Sequence, residues 1–259
     1  MKWRTLTVPL LVLCSWTELK AATVLASYGA FDQDSNRQNF YTLEASSAKK
    51  SFEDFELTSV NHIDKETIND SIEVISRGLG FDFEPLRINV DVGYFFSLDK
   101  YARDEIDYAI SRSIAGAGLS LDLSFLELRA FSRSYIPYAS AKTRIDSFDL
   151  TFNPYPYQQS QGGISLRMGA LEIQGDVGRF DRLQGRYDII GDNFMLTLPA
   201  VSYGKAAIIL RGNKHTVLRA ELHKILDDHD RRDDFHKLIG TAMHRDAYDG
   251  GSLGIGISF

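Results

Sequence analysis

The sequence predicts an all-β chain closed into an antiparallel transmembrane β-barrel. About 14 strands are expected, with 12 the alternative, joined by short periplasmic turns and longer external loops. Three observations predict this. Apolar residues fall on every second position over long runs. The parity of that alternation reverses across two-residue steps at four places. An export-type N-terminus leads into a stretch without cysteine.

Composition sets the limits. The chain has 259 residues, 44% hydrophobic and 25% charged, with 16 Phe and 12 Tyr, which excludes a disordered polar chain. Its formal charge of −6 argues against nucleic acid as a partner, because phosphate contacts need clustered Lys and Arg. After residue 13 no apolar run reaches the roughly 18 to 20 residues of a spanning helix. A helical membrane protein is thereby excluded, and a membrane protein that crosses with strands is not.

The first element is an address. Lys2 and Arg4 form a basic start, Leu6 to Leu13 an apolar stretch, and Leu19-Lys20-Ala21 a small-residue exit. That pattern is a secretory signal peptide over residues 1–21, with cleavage expected after Ala21 and Ala22 or Ala26 as alternatives. Cys14, the only cysteine, follows Leu13 rather than the small residue a lipid anchor needs, and it leaves with the signal. Removing Lys2, Arg4 and Lys20 against Glu18 takes the mature chain to about −8. An exported chain without disulfides must draw stability from a large core or a closed sheet.

The strands over 22–259 follow from period two. Leu86, Ile88, Val90, Val92 and Tyr94 alternate with Arg87, Asn89, Asp91 and Gly93. Ala115, Ala117, Leu119, Leu121, Leu123 and Phe125 alternate with Gly116, Gly118, Ser120, Asp122 and Ser124. A half-buried soluble strand runs about 5 to 6 residues. These runs approach the 9 to 11 or so that a tilted strand needs to cross a bilayer.

Parity reverses at Pro85-Leu86, Phe125-Leu126, Ala170-Leu171 and Pro199-Ala200. A tight hairpin does this, because both strands keep their apolar residues on one face; a bulge within one strand is the alternative. The polar stretches 97–107, 137–162, 182–186 and 211–215 are then assigned to the opposite end. Extending the pattern gives strands near 23–31, 38–46, 52–61, 70–83, 86–96, 108–123, 126–137, one ending at 168, 171–181, 187–198, 201–211, 215–226, 234–244 and 252–259. Segment 137–162 alternates by itself at Phe148, Leu150 and Phe152, and is read as a possible β-extension above the membrane.

The chain ends GSLGIGISF, with Leu253, Ile255, Ile257 and the terminal Phe259 on one parity. This resembles the C-terminal signature of bacterial outer-membrane β-barrel proteins, and FEPLRINV resembles the periplasmic hairpins of general porins. The resemblance covers the class architecture of residues 22–259, not a named family. It implies outer-membrane location in a Gram-negative cell, contact with membrane lipid and lipopolysaccharide, and handling by the barrel-insertion machinery through Phe259. The physics agrees, since a sheet in hydrocarbon must close to pair its backbone. Tyr94, Phe152 and Tyr203 are candidates for aromatic girdles.

If the apolar parity faces lipid, the other lines a lumen. It carries Arg87, Asn89, Asp91, Asp122, Glu127, Arg129, Arg133, Arg167, Glu172, Gln174, Asp176, Arg219, Glu221 and His223. The expected function is a narrow porin-like channel for passive diffusion of small hydrophilic solutes, since no plug domain is visible. The alternative is a structural ion-pair lattice in a closed barrel. A barrel enzyme is a second alternative, with His62 and Asp64, His215, or His244 and Asp246 at the external rim as a base pair; no serine nucleophile motif accompanies them. A surface-binding barrel is the third, with Tyr135, Tyr138, Tyr155 and Tyr157 in the 137–162 region. Asp227-Asp228-His229-Asp230 lacks ligand spacing and reads as a solvated periplasmic turn. No metal or cofactor is expected.

Overall fold

A computed structural model of the chain describes residues 22–33, 36–49, 52–63, 67–101, 106–138, 141–145, 148–189, 192–212, 215–227 and 249–259. Its strands are β1 (Ala22–Gln33), β2 (Asn36–Lys49), β3 (Phe52–Ile63), β4 (Thr67–Phe83), β5 (Leu86–Tyr101), β6 (Ile106–Asp122), β7 (Leu126–Pro137) and β8 (Ala141–Ile145). They continue with β9 (Phe148–Pro154), β10 (Tyr157–Met168), β11 (Leu171–Phe180), β12 (Leu183–Ile189), β13 (Asp192–Leu198), β14 (Val201–Arg211), β15 (Thr216–Ile225) and β16 (Asp249–Ser258). Among the described residues no helix is long and apolar enough to cross a membrane.

Twelve strands close a barrel in the order β1-β16-β15-β14-β11-β10-β7-β6-β5-β4-β3-β2. Closure is made by β1 against β16 in antiparallel register, Thr23 opposite Ser258 through Asp32 opposite Asp249. The Phe259 amide donates to the Ala22 carbonyl at 2.8 Å, so the two ends of the barrel sheet are tied together. No edge strand remains in such a ring, which is the condition for a sheet in hydrocarbon.

The faces follow the alternation. On β5 the outward Ile88 is 45% exposed while the inward Asp91 is 0% exposed. Outward Leu119, Leu166, Ile208, Leu218 and Ile255 are likewise exposed, and inward Arg133, Glu172 and Glu221 are buried. Polar inside and apolar outside inverts the arrangement of a soluble sheet. The strands of the longest pairs, β4, β5 and β6, have 17, 16 and 17 residues, more than the crossing itself requires.

The two ends differ. The β4–β5, β6–β7, β10–β11 and β14–β15 turns lie at one end. Gly169 takes a left-handed φ of 62° in the β10–β11 turn, and Ser124 one of 72° in the β6–β7 turn. The Ser124 amide there donates to the Asp122 carboxylate at 2.8 Å. At the other end two excursions build a second sheet of order β13-β12-β9-β8. The β8–β9 hairpin interrupts the path from β7 to β10, β12–β13 interrupts the path from β11 to β14, and β9–β12 pairing joins them. The possible extension in 137–162 is therefore real, and it recruits a second segment.

Four expectations are corrected. The barrel has 12 strands, not 14: segment 187–198 belongs to β12 and β13 of the second sheet, and segment 234–244 lies outside the described residues. Pro199-Ala200 is not a hairpin, because β13 pairs β12 while β14 pairs β11 and β15; the step carries the chain from the second sheet into the barrel. Arg211 and His215, which flank the link from β14 to β15, lie at the same end as 84–85 rather than the opposite one, with the Gly212 amide donating to the Thr216 carbonyl at 2.8 Å. Asp227 follows β15 at the extension end, opposite the tight-turn end to which the sequence assigns it, and its carboxylate accepts from the Ser202 amide; Asp228, His229 and Asp230 lie outside the described residues.

Candidate functional site

The barrel interior is the concentration of chemistry. Period two turns every second residue of each barrel strand inward, and the sequence places arginines and carboxylates at those positions. Charges removed from water are tolerated only when paired and hydrogen-bonded. The interior answers that demand with ion pairs, several of which skip a strand and so stitch the bore.

Toward the tight-turn end, Arg167 on β10 meets Asp122 on β6 at 2.9 Å and also pairs with Glu127 on β7. Arg87 meets Asp82 at 3.2 Å, and Arg211 meets Glu172 at 2.8 Å, with Gln174 donating to Glu172 at 2.6 Å. At mid-height Asp91 accepts from Arg133 at 2.6 Å across β6, with Arg77 at 3.7 Å and Asn89 donating to the same carboxylate. Arg77 also holds Glu56 at 2.6 Å. Arg129 binds Asp176 at 2.9 Å across β10 and donates to Ser165 at 2.6 Å. Arg219 on β15 reaches Glu44 on β2 at 2.6 Å, and pairs with Glu221, which also meets His223.

Above these tiers, toward the extension, the bore is lined with rings. Ile75, Phe95, Ile114, Tyr135, Tyr157, Phe180, Val201, Tyr203 and Ile225 form one buried cluster. Tyr135 stacks on Tyr157, Phe180 stacks on Tyr203 at 5.2 Å, and Phe95 and Tyr157 meet their neighbours edge-on. The Arg112 guanidinium lies 5.1 Å from the Tyr157 ring centre and 5.8 Å from that of Phe95, a cation–π arrangement. Gln159 donates to the Tyr203 hydroxyl at 2.7 Å, and that hydroxyl donates to Gln161 at 2.8 Å. The layer thus lines the bore along the consecutive barrel strands β4 to β15 with hydrogen-bonded aromatics, and its Tyr135 and Tyr203 side chains have no contact with solvent.

The structure places Arg87, Asn89, Asp91, Asp122, Glu127, Arg129, Arg133, Arg167, Glu172, Gln174, Asp176, Arg219, Glu221 and His223 on the inward parity, most of them in the pairs above. It adds Arg77, Arg112, Glu73, Gln159, Gln161 and the ring layer, which sequence reasoning passed over. Their signal was the continuation of each inward parity toward the extension: Asp91, Gly93, Phe95 and Arg133, Tyr135. Two readings change. Tyr203 is buried in the bore rather than in an outer girdle, and Tyr135 and Tyr157 are stacked inside rather than displayed on a surface loop.

Tyr94 does face outward, with Tyr138 at 5.9 Å, while Phe152 sits on β9 of the second sheet. His215 lies at the tight-turn end, its Nδ1 2.6 Å from the Ser258 carbonyl oxygen, which removes it from the external rim. His62 is in β3 opposite Phe40 and Asn69; Asp64, His244 and Asp246 lie outside the described residues. Leu253, Ile255, Ile257 and Phe259 all face outward. Among the described residues no group of three or more His, Cys, Asp or Glu is placed to hold a metal ion.

Comparison with solved structures finds chains that align with this one over most of its length. The NanC porin superposes with a TM-score of 0.51 at 10% identity, covering 92% of this chain and 98% of that one. The KdgM porin gives 0.44 at 11% identity over 91% and 99% of the two chains. The Pseudomonas putida toluene transporter TodX gives 0.45 at 7% identity over 92% and 88%. No protein family and no curated protein matches the chain in sequence. At 10% identity the NanC likeness establishes the fold alone, that of a closed antiparallel β-barrel.

Proposed function

We propose that this chain is a Gram-negative outer-membrane barrel acting as a narrow, porin-like channel for small hydrophilic solutes, held shut at rest by the aromatic layer. The carrying observation is the tiered interior of paired arginines and carboxylates below that layer. A barrel that needed only filling is served as well or better by apolar side chains, since buried ion pairs roughly break even against them. Retained charge along the bore suits a hydrated path, and the arginine-capped ring layer suits a constriction. The extension end faces outward from the cell and the tight turns face the periplasm. Residues 1–21 serve as the export signal.

A second reading draws on the same packing. If the interior never opens, the barrel is a membrane platform for the β8, β9, β12 and β13 sheet. Solute entry into proteoliposomes separates the two. Vesicles carrying the Tyr157→Ala variant, whose ring layer is opened, swell in arabinose faster than protein-free vesicles and no faster in raffinose; equal rates with and without this variant in both sugars favour the platform.

A further inference from the structure

The outer wall carries a groove that solute passage does not use. On the outward parity Ala117, Ala130 and Gly162 are small, and Leu119, Val177 and Leu226 stand around them, leaving a shallow, open groove of about 810 Å³. A second groove of about 830 Å³ adjoins it through Gly162 and Val177. Toward the extension, Arg179 lines both the first groove and a polar recess shared with Arg182 and Asp181, and Lys224 lines the second groove. Arg179 is 63% exposed, and its Asp181 contact is a long 3.9 Å.

We propose that this wall binds the lipid A part of lipopolysaccharide, an acyl chain lying in the groove and a phosphate held by Arg179, Arg182 and Lys224. The inference rests on the outer-membrane reading, which makes acyl chains the solvent of this face and lipopolysaccharide the lipid at the extension end. Charge complementarity selects the headgroup. Among the described outward residues lining these recesses three cations stand against the Asp181 carboxylate, and guanidinium forks match phosphate oxygens. A second copy of the chain fits less well. Two barrels in one membrane share an orientation, so a two-fold contact here sets the same basic rims side by side.

The test uses the full-length mature protein in dodecyl maltoside micelles, checked first for heat-modifiable mobility on gels. Bisphosphorylated lipid A is added and retention is read by native mass spectrometry, with dioleoyl phosphatidylglycerol alongside. Lipid A is expected to remain on the wild type, and an Arg179→Glu/Arg182→Glu variant to retain it at least about tenfold less. Gly162→Leu is expected to lose it too. A Cβ at Gly162 meets nothing closer than 3.9 Å, so this variant keeps its heat-modifiable mobility. Equal retention by all variants, phosphatidylglycerol held as well as lipid A, or a dimer occupying the face would overturn the site. Absence of heat-modifiable mobility in the wild type would instead bring down the barrel reading itself, before lipid is added.

Discussion

Tyr135 of β7 and Tyr157 of β10 are register partners whose rings stack inside the bore, 4.7 Å apart and within 5° of parallel. The Tyr135 hydroxyl lies 2.9 Å from Glu73 and 2.8 Å from Gln159, so the stack is anchored to β4 across β5 and β6. Stacked aromatic pairs add about 0.5 to 1.5 kcal/mol beyond the area they bury. The pair therefore both ties the wall together and occupies the lumen.

Asp91 is the hub of the mid-height tier, with Arg133, Arg77 and Asn89 converging on one buried carboxylate. Asp91→Ala leaves two guanidiniums facing each other away from water and is expected to cost about 3 to 5 kcal/mol. Urea unfolding of the protein in micelles measures it. Adding Arg133→Met recovers part of the loss; an Asp91→Ala variant with the wild-type midpoint would show that the tier is not a stabilising unit.

Gly178 is where the Tyr203 ring rests on the backbone of β11, so a side chain there collides with the ring. Gly178→Val is expected to lower stability by about 1 to 3 kcal/mol through overpacking and to weaken the tyrosine near-ultraviolet dichroism. Gly175 faces outward and a Cβ there meets only Ile164 at 4.0 Å, so Gly175→Val is the control. Equal spectra for the two variants would contradict a packed ring layer.

The N-terminal residues make a covalent prediction. Protein purified from the membrane should begin at Ala22, which the structure pairs with Ser47 at the start of β1. Intact mass measurement decides this, and a mature chain that retains Met1 through Ala21 would remove the export signal.

Phe259 has an exposed ring at 69% and a backbone amide that closes the barrel. Phe259→Ala keeps the amide and loses only the ring. If insertion machinery reads that ring, the variant shows a several-fold drop in heat-modifiable protein in the outer-membrane fraction while still folding in micelles. Undiminished assembly in cells would assign the ring to lipid contact alone.

Period two in the sequence foretold the strands and their faces along most of the wall, because a lipid-facing parity and a paired inner parity differ in chemistry. Three of the four parity reversals are barrel hairpins. The fourth, Pro199-Ala200, shows the limit: alternation identifies a strand but not the sheet it joins, so Asp192–Leu198 read like barrel wall. The rings were misplaced for a related reason. Near the extension the chemistry of the faces swaps, with Gln158, Ser160, Arg179 and Lys224 outward and Tyr157, Phe180 and Tyr203 inward. Apolar parity marks lipid only within the hydrocarbon belt, and the sequence does not announce where that belt ends. Pairs such as Arg219 with Glu44, separated by most of the chain, emerge only once the ring closes.

Single-channel recording in a planar bilayer, comparing the wild type with Tyr157→Ala, tests the shut channel most directly. Removing the ring opens the layer between Tyr135 and Phe180 while leaving the ion-pair tiers below in place. The wild type is expected to show rare, brief openings, and Tyr157→Ala sustained discrete steps whose conductance rises with salt. A folded, heat-modifiable Tyr157→Ala protein as silent as the wild type would contradict a channel closed by its aromatic layer.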